Sequence, residues 1–214
     1  MFPGIIGNHY SLPNVVNMAN ETYTYNKHQV LSFAKTTGRF GGLSNMAPDF
    51  VLFVNEINVP SAESLYQACK FSFYPEIQRL IIEERNPMAA KLISRQYQAY
   101  VRTDWDQIKI SVMEWCLKLK LLQNWEKFGA LLRESGTSVI VEYSTKDDLW
   151  GAVPKENNVL VGQNVLGRLL MKVRTEYVIP NIKPQKMLPP NVIGLMLYGV
   201  PITEVYAPEY YIED

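Results

Sequence analysis

The chain has 214 residues, 47% hydrophobic and 12% aromatic, which is ample for one compact domain with a substantial core and cramped for two. Its 21 basic and 21 acidic residues cancel, arguing against a non-specific nucleic-acid binder. The start, M-F-P-G-I-I-G-N-H-Y, has no basic n-region, and no apolar run of membrane-spanning length follows, so a soluble, cytoplasmic protein without a membrane partner is expected.

The two cysteines, Cys69 and Cys116, form no C-x-x-C pair and read as small core hydrophobes. Both histidines, His9 and His28, fall in the first 30 residues. That leaves the central chain without a Ser-His-Asp triad or a His-based metal site, and no metal or cofactor is expected. Any chemistry must rest on carboxylates, lysines, aromatics and backbone amides. Charge is unevenly spread: residues 1 to 84 carry 5 basic and 7 acidic groups, 85 to 133 carry 9 and 4, and 134 to 214 carry 7 and 10. The middle block is either a set of solvated helix faces or a phosphate-facing surface.

Residues 1 to 32 read as an irregular extension with one short strand. Gly38, Gly41 and Gly42, followed by Ser44 and Asn45, mark a turn-rich loop. It is either a tight connection or a ligand loop whose backbone N–H groups hold phosphates, with Lys35 and Arg39 beside it. Phe50 to Val59 reads as two short strands around a turn at Asn55-Glu56.

Pro60 and Ser61 then open a helix, with Ser61 as N-cap and Glu63 in the first turn. Glu63, Tyr66, Gln67 and Lys70 share one face of it, while Leu65 and Cys69 supply the buried side. Tyr74-Pro75 opens a second helix with Ile77, Leu80 and Ile81 inward, and Asn86-Pro87 a third with Met88, Leu92 and Ile93. Asp104 and Gln107 form a capping-box pattern before the longest helix, which runs to about Leu122. Its buried stripe is Ile108, Val112, Trp115, Leu119 and Leu122, with Lys109, Lys118 and Lys120 off it.

Asn124 caps a further helix closed by Gly136. A strand, Val139 to Tyr143, leads into the polar loop S-T-K-D-D-L-W-G, whose Trp150 is either a platform for a base or cover for a core edge. Asn164 caps a last helix carrying Gly167 and Arg174. Beyond Tyr177, prolines gather around the apolar run V-I-G-L-M-L-Y-G-V. This is expected to be a tail, residues 178 to 214, packing on the body or on a partner.

Four stretches in order, R-F-G-G-L-S-N-M, A-E-S-L-Y-Q-A-C-K-F, D-W-D-Q-I-K-I-S-V-M and V-E-Y-S-T-K-D-D-L-W-G with G-Q-N-V-L-G-R-L-L-M-K-V-R, resemble the NADAR (YbiA-like) family over residues 33 to 177. The resemblance implies a single compact α+β domain, mostly helical, with a few short strands and terminal extensions. It implies N-glycosidase activity, either on phosphorylated intermediates of riboflavin synthesis or on ADP-ribose attached to guanine in nucleic acid. By position it makes Glu63 the catalytic glutamate, with Asp147 a second acid. Trp105, Trp150 with Gly151, Asn164, Gly167 and Arg174 fall on further family positions.

The glycine loop (Arg39, Gly42, Ser44, Asn45) and the helix face (Tyr66, Gln67, Lys70) complete the expected binding set. A carboxylate near C1 of ribose suits an oxocarbenium-like transition state. A Schiff base from Lys35 or Lys70 is the alternative. The resulting expectation is an enzyme that removes ADP-ribose from guanine in DNA and opposes a DarT-type toxin partner. Riboflavin-type substrates and a non-catalytic ADP-ribose binding module are the alternatives.

Overall fold

The computed structural model describes residues 21–211; the part of the expected N-terminal extension before residue 21 lies outside the described residues. The fold is α+β, with six α-helices and several short strands among those residues. β1 (Tyr23–Asn26) pairs antiparallel with β7 (Val159–Gly162), which also pairs with β6 (Val153–Lys155). The sheet therefore reaches back across the boundary expected at residue 33. β2 (Val30–Phe33) lies parallel to β5 (Val139–Glu142). β3 (Leu52–Val54) and β4 (Ile57–Val59) form the expected hairpin, its turn residues Asn55 and Glu56 both at positive φ (50° and 62°). That pair of left-handed residues matches the turn to the twist of its strands.

α1 (Ala62–Cys69) starts as its sequence dictates, with Ser61 Oγ accepting the Ser64 N–H at 3.1 Å. It is buried along its whole length, so its polar face looks into the protein interior. α4 (Trp105–Gln123) packs against α1, α5 (Trp125–Glu134) and α6 (Val165–Val173), and is covered on most sides, beyond the single stripe its periodicity predicts. Asp104 precedes it without capping it, because its carboxylate takes two guanidinium bonds from Arg102, at 2.6 and 2.9 Å. Asn124 likewise makes no cap for α5 and donates to the Val51 carbonyl.

Two helices bury different residues from those expected. In α2 (Pro75–Glu83), Leu80 is 45% exposed and Ile82 is buried instead. In α3 (Pro87–Gln96), Met88 and Leu92 are exposed, and the buried side is Pro87, Ala90 and Ser94. α3 packs on α1 and α2; a face of small residues permits the close approach that Met and Leu would block.

The segment after residue 177 packs on the body: Leu195, Leu197, Ile202, Val205 and Ala207 join the main core. Gln78 of α2 accepts the Tyr198 N–H at 2.7 Å and donates to the Met196 carbonyl at 2.8 Å, pairing buried groups that would otherwise be costly.

α6 is seated on β5 by Asn164. This residue adopts a left-handed conformation (φ 49°) and makes no cap. Its Nδ2 donates to the Ile140 carbonyl at 2.8 Å and its Oδ1 accepts the Glu142 N–H at 3.0 Å. Gly167, one turn on, must stay bare: a Cβ there would lie 2.2 Å from the Ile140 carbonyl oxygen. Gly167→Ala sets two effects against each other, a helix-propensity gain of about 1 kcal/mol and an overpacking cost of about 1–3 kcal/mol or more. The clash is with backbone, which cannot swing away, so we expect a net loss of stability, read as a lower urea midpoint at unchanged slope. A raised midpoint would contradict this account of the seam.

Candidate functional site

Glu63 lies on the first turn of α1 and is 1% exposed. A carboxylate inside a protein requires donors, and three converge on it. The Asn45 side-chain amide donates to Oε2, the Gln67 amide donates to Oε1 at 2.7 Å, and the Lys91 ammonium of α3 stands 3.8 Å from Oε1. The Glu63 N–H also donates to the Asn45 carbonyl at 2.9 Å, so loop and helix are joined twice at this residue.

Around this carboxylate opens a cavity of about 400 Å³. One wall is aromatic: Tyr66 stacks at a tilt on Trp105 (centroids 4.9 Å apart) and meets Trp150 edge to face at 5.6 Å. The Lys70 ammonium lies 5.7 Å from both the Tyr66 and Trp105 rings, within cation–π range. Burial, and after it the neighbouring Lys91, Arg95 and Lys109 charges, draw the Lys70 pKa down to about 8, against the opposing pull of Glu63. An amine with that pKa is half neutral at pH 8, the form that carbonyl chemistry needs. Lys91, Arg95 and Lys109 stand at the rim. Glu142, at the end of β5, and Asp147 line the same cavity.

Of the residues expected at the site, the structure brings eight to this cavity: Asn45, Glu63, Tyr66, Gln67, Lys70, Trp105, Asp147 and Trp150. Asp147 also shapes its loop, its Oδ1 accepting the Leu149 and Trp150 N–H groups at 3.1 and 2.9 Å.

The others lie elsewhere. Lys35 is exposed and outside the lining, so Lys70 is the lysine placed for chemistry. Arg39 is on the surface, bonded to Glu134 at 2.6 Å. Gly42 packs against Leu131 and Phe50, where a Cβ would come within 2.4 Å of Leu131. Five of the glycine loop's amides are already engaged. The Gly41, Leu43, Ser44 and Ala47 N–H groups bond within the loop, and Met46 N–H bonds to Ser44 Oγ.

Beneath that loop sits Lys120, fully buried rather than solvated, donating to the Gly42 and Ser44 carbonyls at 2.6 and 2.8 Å. It lies over Phe50 and Phe128, and burial holds its pKa well below the usual lysine value. Gly151 is bare because a Cβ would meet the Glu142 carbonyl at 2.5 Å. Asn164 and Gly167 form the seam described above. Arg174 donates to Ser135 Oγ and the Ser138 carbonyl at 2.7 and 3.0 Å, tying the end of α6 to the turn after α5.

Sequence reasoning left out Glu142, Met46, Gln98, Asp106, Met113, Ser144, Leu149 and Leu166 as lining residues. Only Glu142 carried a signal, as a carboxylate ending an apolar strand next to a polar loop. Among the described residues no cluster of His, Cys, Asp or Glu is placed to hold a metal ion, and no helix is long and apolar enough to cross a membrane.

Comparison with known proteins places this geometry. The NADAR domain matches residues 22–177. The chain is 34% identical over 148 residues to a riboflavin biosynthesis protein of Vibrio vulnificus and 37% identical over 160 residues to the chloroplastic riboflavin biosynthesis protein PYRR of Zea mays. Each match covers 69% of this chain but only 38% and 25% of those relatives, so the chain spans well under half of either. It is 30% identical to the N-glycosidase YbiA of Escherichia coli over 70% of this chain and 89% of that protein. The NMR structure of E. coli YbiA superposes with a TM-score of 0.61 at 28% identity, covering 73% of this chain and 89% of YbiA. The chain belongs to the NADAR domain family.

Proposed function

We propose that this protein is an N-glycosidase that releases ADP-ribose from modified guanine in DNA. It would thereby reverse the product of a DarT-type ADP-ribosyltransferase toxin and serve as its antitoxin. The observation that carries the reaction class is the single cavity joining a buried, donor-held carboxylate to a three-ring aromatic wall. Cleaving a ribose–nitrogen bond builds positive charge on C1′ and the ring oxygen, and a carboxylate held in low dielectric stabilises that charge.

Tyr66, Trp105 and Trp150 offer flat surfaces to the base, each stacking contact worth about 1–3 kcal/mol. Gln67 lines the cavity, and its Oε1 is buried and without a partner among the described residues. Lys91, Arg95 and Lys109 at the rim support an anionic substrate. The names of the Vibrio and maize relatives favour a second reading, in which the same reaction acts on a small phosphorylated ribosylamine of riboflavin synthesis. Assaying both substrate classes side by side decides between them. Release of ADP-ribose from the oligonucleotide supports the first; turnover of the small compound alone demotes it.

Glu63→Gln keeps volume and hydrogen-bonding reach while removing the charge. We expect kcat to fall by roughly 100-fold or more with the melting temperature little changed, the scale of a positioned acid or base. Near-normal turnover by a folded variant would move the chemistry to Lys70 or another carboxylate. Trp105→Ala and Trp150→Ala act differently, raising KM more than they lower kcat.

The rim gives a second measurement. Of the nine basic residues from 85 to 133, Arg102 and Lys120 are buried in structural bonds, while Lys91, Arg95 and Lys109 line the cavity, Lys91 beside Glu63 and Lys109 beside Asp106. With about 0.7 log units per phosphate contact on a single strand, three contacts give a log–log salt slope of magnitude about 2. Lys91→Ala with Arg95→Ala should bring it below about 1. A flat wild-type slope, or one untouched by the double change, would mean the rim does not face a nucleic-acid backbone.

A further inference from the structure

A glycosidic nitrogen leaves poorly as an anion, so cleavage needs a proton donor on the base side as well as a carboxylate on the ribose side. The cavity holds two carboxyl groups in contrasting surroundings, Glu63 buried and Glu142 half-buried. Glu63 is ringed by the Asn45 and Gln67 amides and the Lys91 ammonium. Glu142, which also lines the cavity, has no hydrogen bond to its carboxyl from any described residue.

The backbone of Glu142 is nonetheless tightly fixed. Its N–H goes to Asn164 Oδ1 at 3.0 Å, and its carbonyl accepts the Ala152 N–H at 2.8 Å. Gly151 is bare so that the chain can pass that carbonyl closely. A side chain rooted on a fixed backbone, lining the cavity and given no donor, suits a protonated acid. We propose that Glu142 is the general acid of this site, handing its proton to the leaving nitrogen while Glu63 faces the ribose carbon; the assignment rests on the N-glycosidase reading above.

The step balances. As the C1′–N bond breaks, its electron pair goes to the nitrogen, which takes the Glu142 proton. Water then adds to C1′ and passes a proton to the Glu63 carboxylate. Glu63 returns that proton to solvent, and solvent reprotonates Glu142.

The charge environment agrees. Burial raises the Glu142 pKa to about 7, with Asp147 of the following loop and Glu63 of α1 adding to the rise and Lys91 of α3 opposing it. The acid form therefore prevails below about pH 7 and is lost as pH rises through that value, so turnover should be full on the acid side and fall above it. Lys70 titrates separately, near 8.

The test uses the full chain with two probes, an ADP-ribosylated guanine oligonucleotide and a phosphorylated ribosylamine. If the wild type turns over neither, the N-glycosidase reading fails and this assignment falls with it. If it turns over one, Glu142→Gln should lower kcat by roughly 100-fold, leave KM within about twofold of wild type, and erase the limb near pH 7 while leaving any limb near 8. Glu142→Asp guards against a Gln variant that fails to fold. It should keep part of the activity and move the limb to lower pH. A kcat within about threefold of wild type in Glu142→Gln, or a limb near 7 that survives either change, overturns the assignment.

Discussion

Burying one carboxylate organises much of this structure. An uncompensated charge in the interior costs several kcal/mol, and at Glu63 the compensation comes from three separate segments: the glycine loop through Asn45, the next turn of α1 through Gln67, and α3 through Lys91. None of the three can move without exposing the charge to a drier, less paired setting. The loop in turn depends on Lys120, whose ammonium satisfies the Gly42 and Ser44 carbonyls from inside the core. A lysine buried there makes sense only as part of that chain of support, since its pKa is already driven down by desolvation.

The β5 side of the cavity is built by different means. The Asp147 carboxylate holds its loop through the Leu149 and Trp150 N–H groups, and close backbone approaches do the rest. Asn164 bridges two peptide groups of β5, Gly167 lets α6 settle against the Ile140 carbonyl, and Gly151 lets the chain return past Glu142. The result brings Glu142 and Asp147 into the cavity that also holds Glu63 and the aromatic trio. Two carboxyl groups in unlike surroundings form an arrangement that one fold can use for acid and base roles at one pH.

The helix carrying the site was legible from residues alone. Pro60, Ser61 and Glu63 mark its start, and the spacing of Glu63, Tyr66, Gln67 and Lys70 puts them on one face. What that face meets was not legible, because periodicity does not distinguish a polar row facing solvent from one facing an internal cavity. The hairpin at Asn55-Glu56 followed from turn chemistry in the same way. Leu80, Met88 and Leu92 misled because apolar spacing alone cannot say that α3 approaches its neighbours through Ala90 and Ser94.

At the site, residue types that resemble ligand contacts divide by burial. Asn164, Gly167, Gly151 and Arg174 serve backbone and packing, and Lys120 looks like a surface lysine until tertiary contacts enclose it. Glu142 went unassigned because a carboxylate ending an apolar strand beside a polar loop is a weak signal without any spacing to support it; its character comes from what surrounds it in space. The central claim, that Glu63 works at the ribose carbon of a bound N-glycoside, is tested most directly by a crystal structure. Glu63→Gln protein soaked with an uncleaved ADP-ribosyl guanine nucleotide should show C1′ within hydrogen-bond reach of the residue 63 side chain and the base against Tyr66, Trp105 or Trp150. A conjugate bound outside this cavity, or one entering it with its ribose turned away from residue 63, would contradict the account.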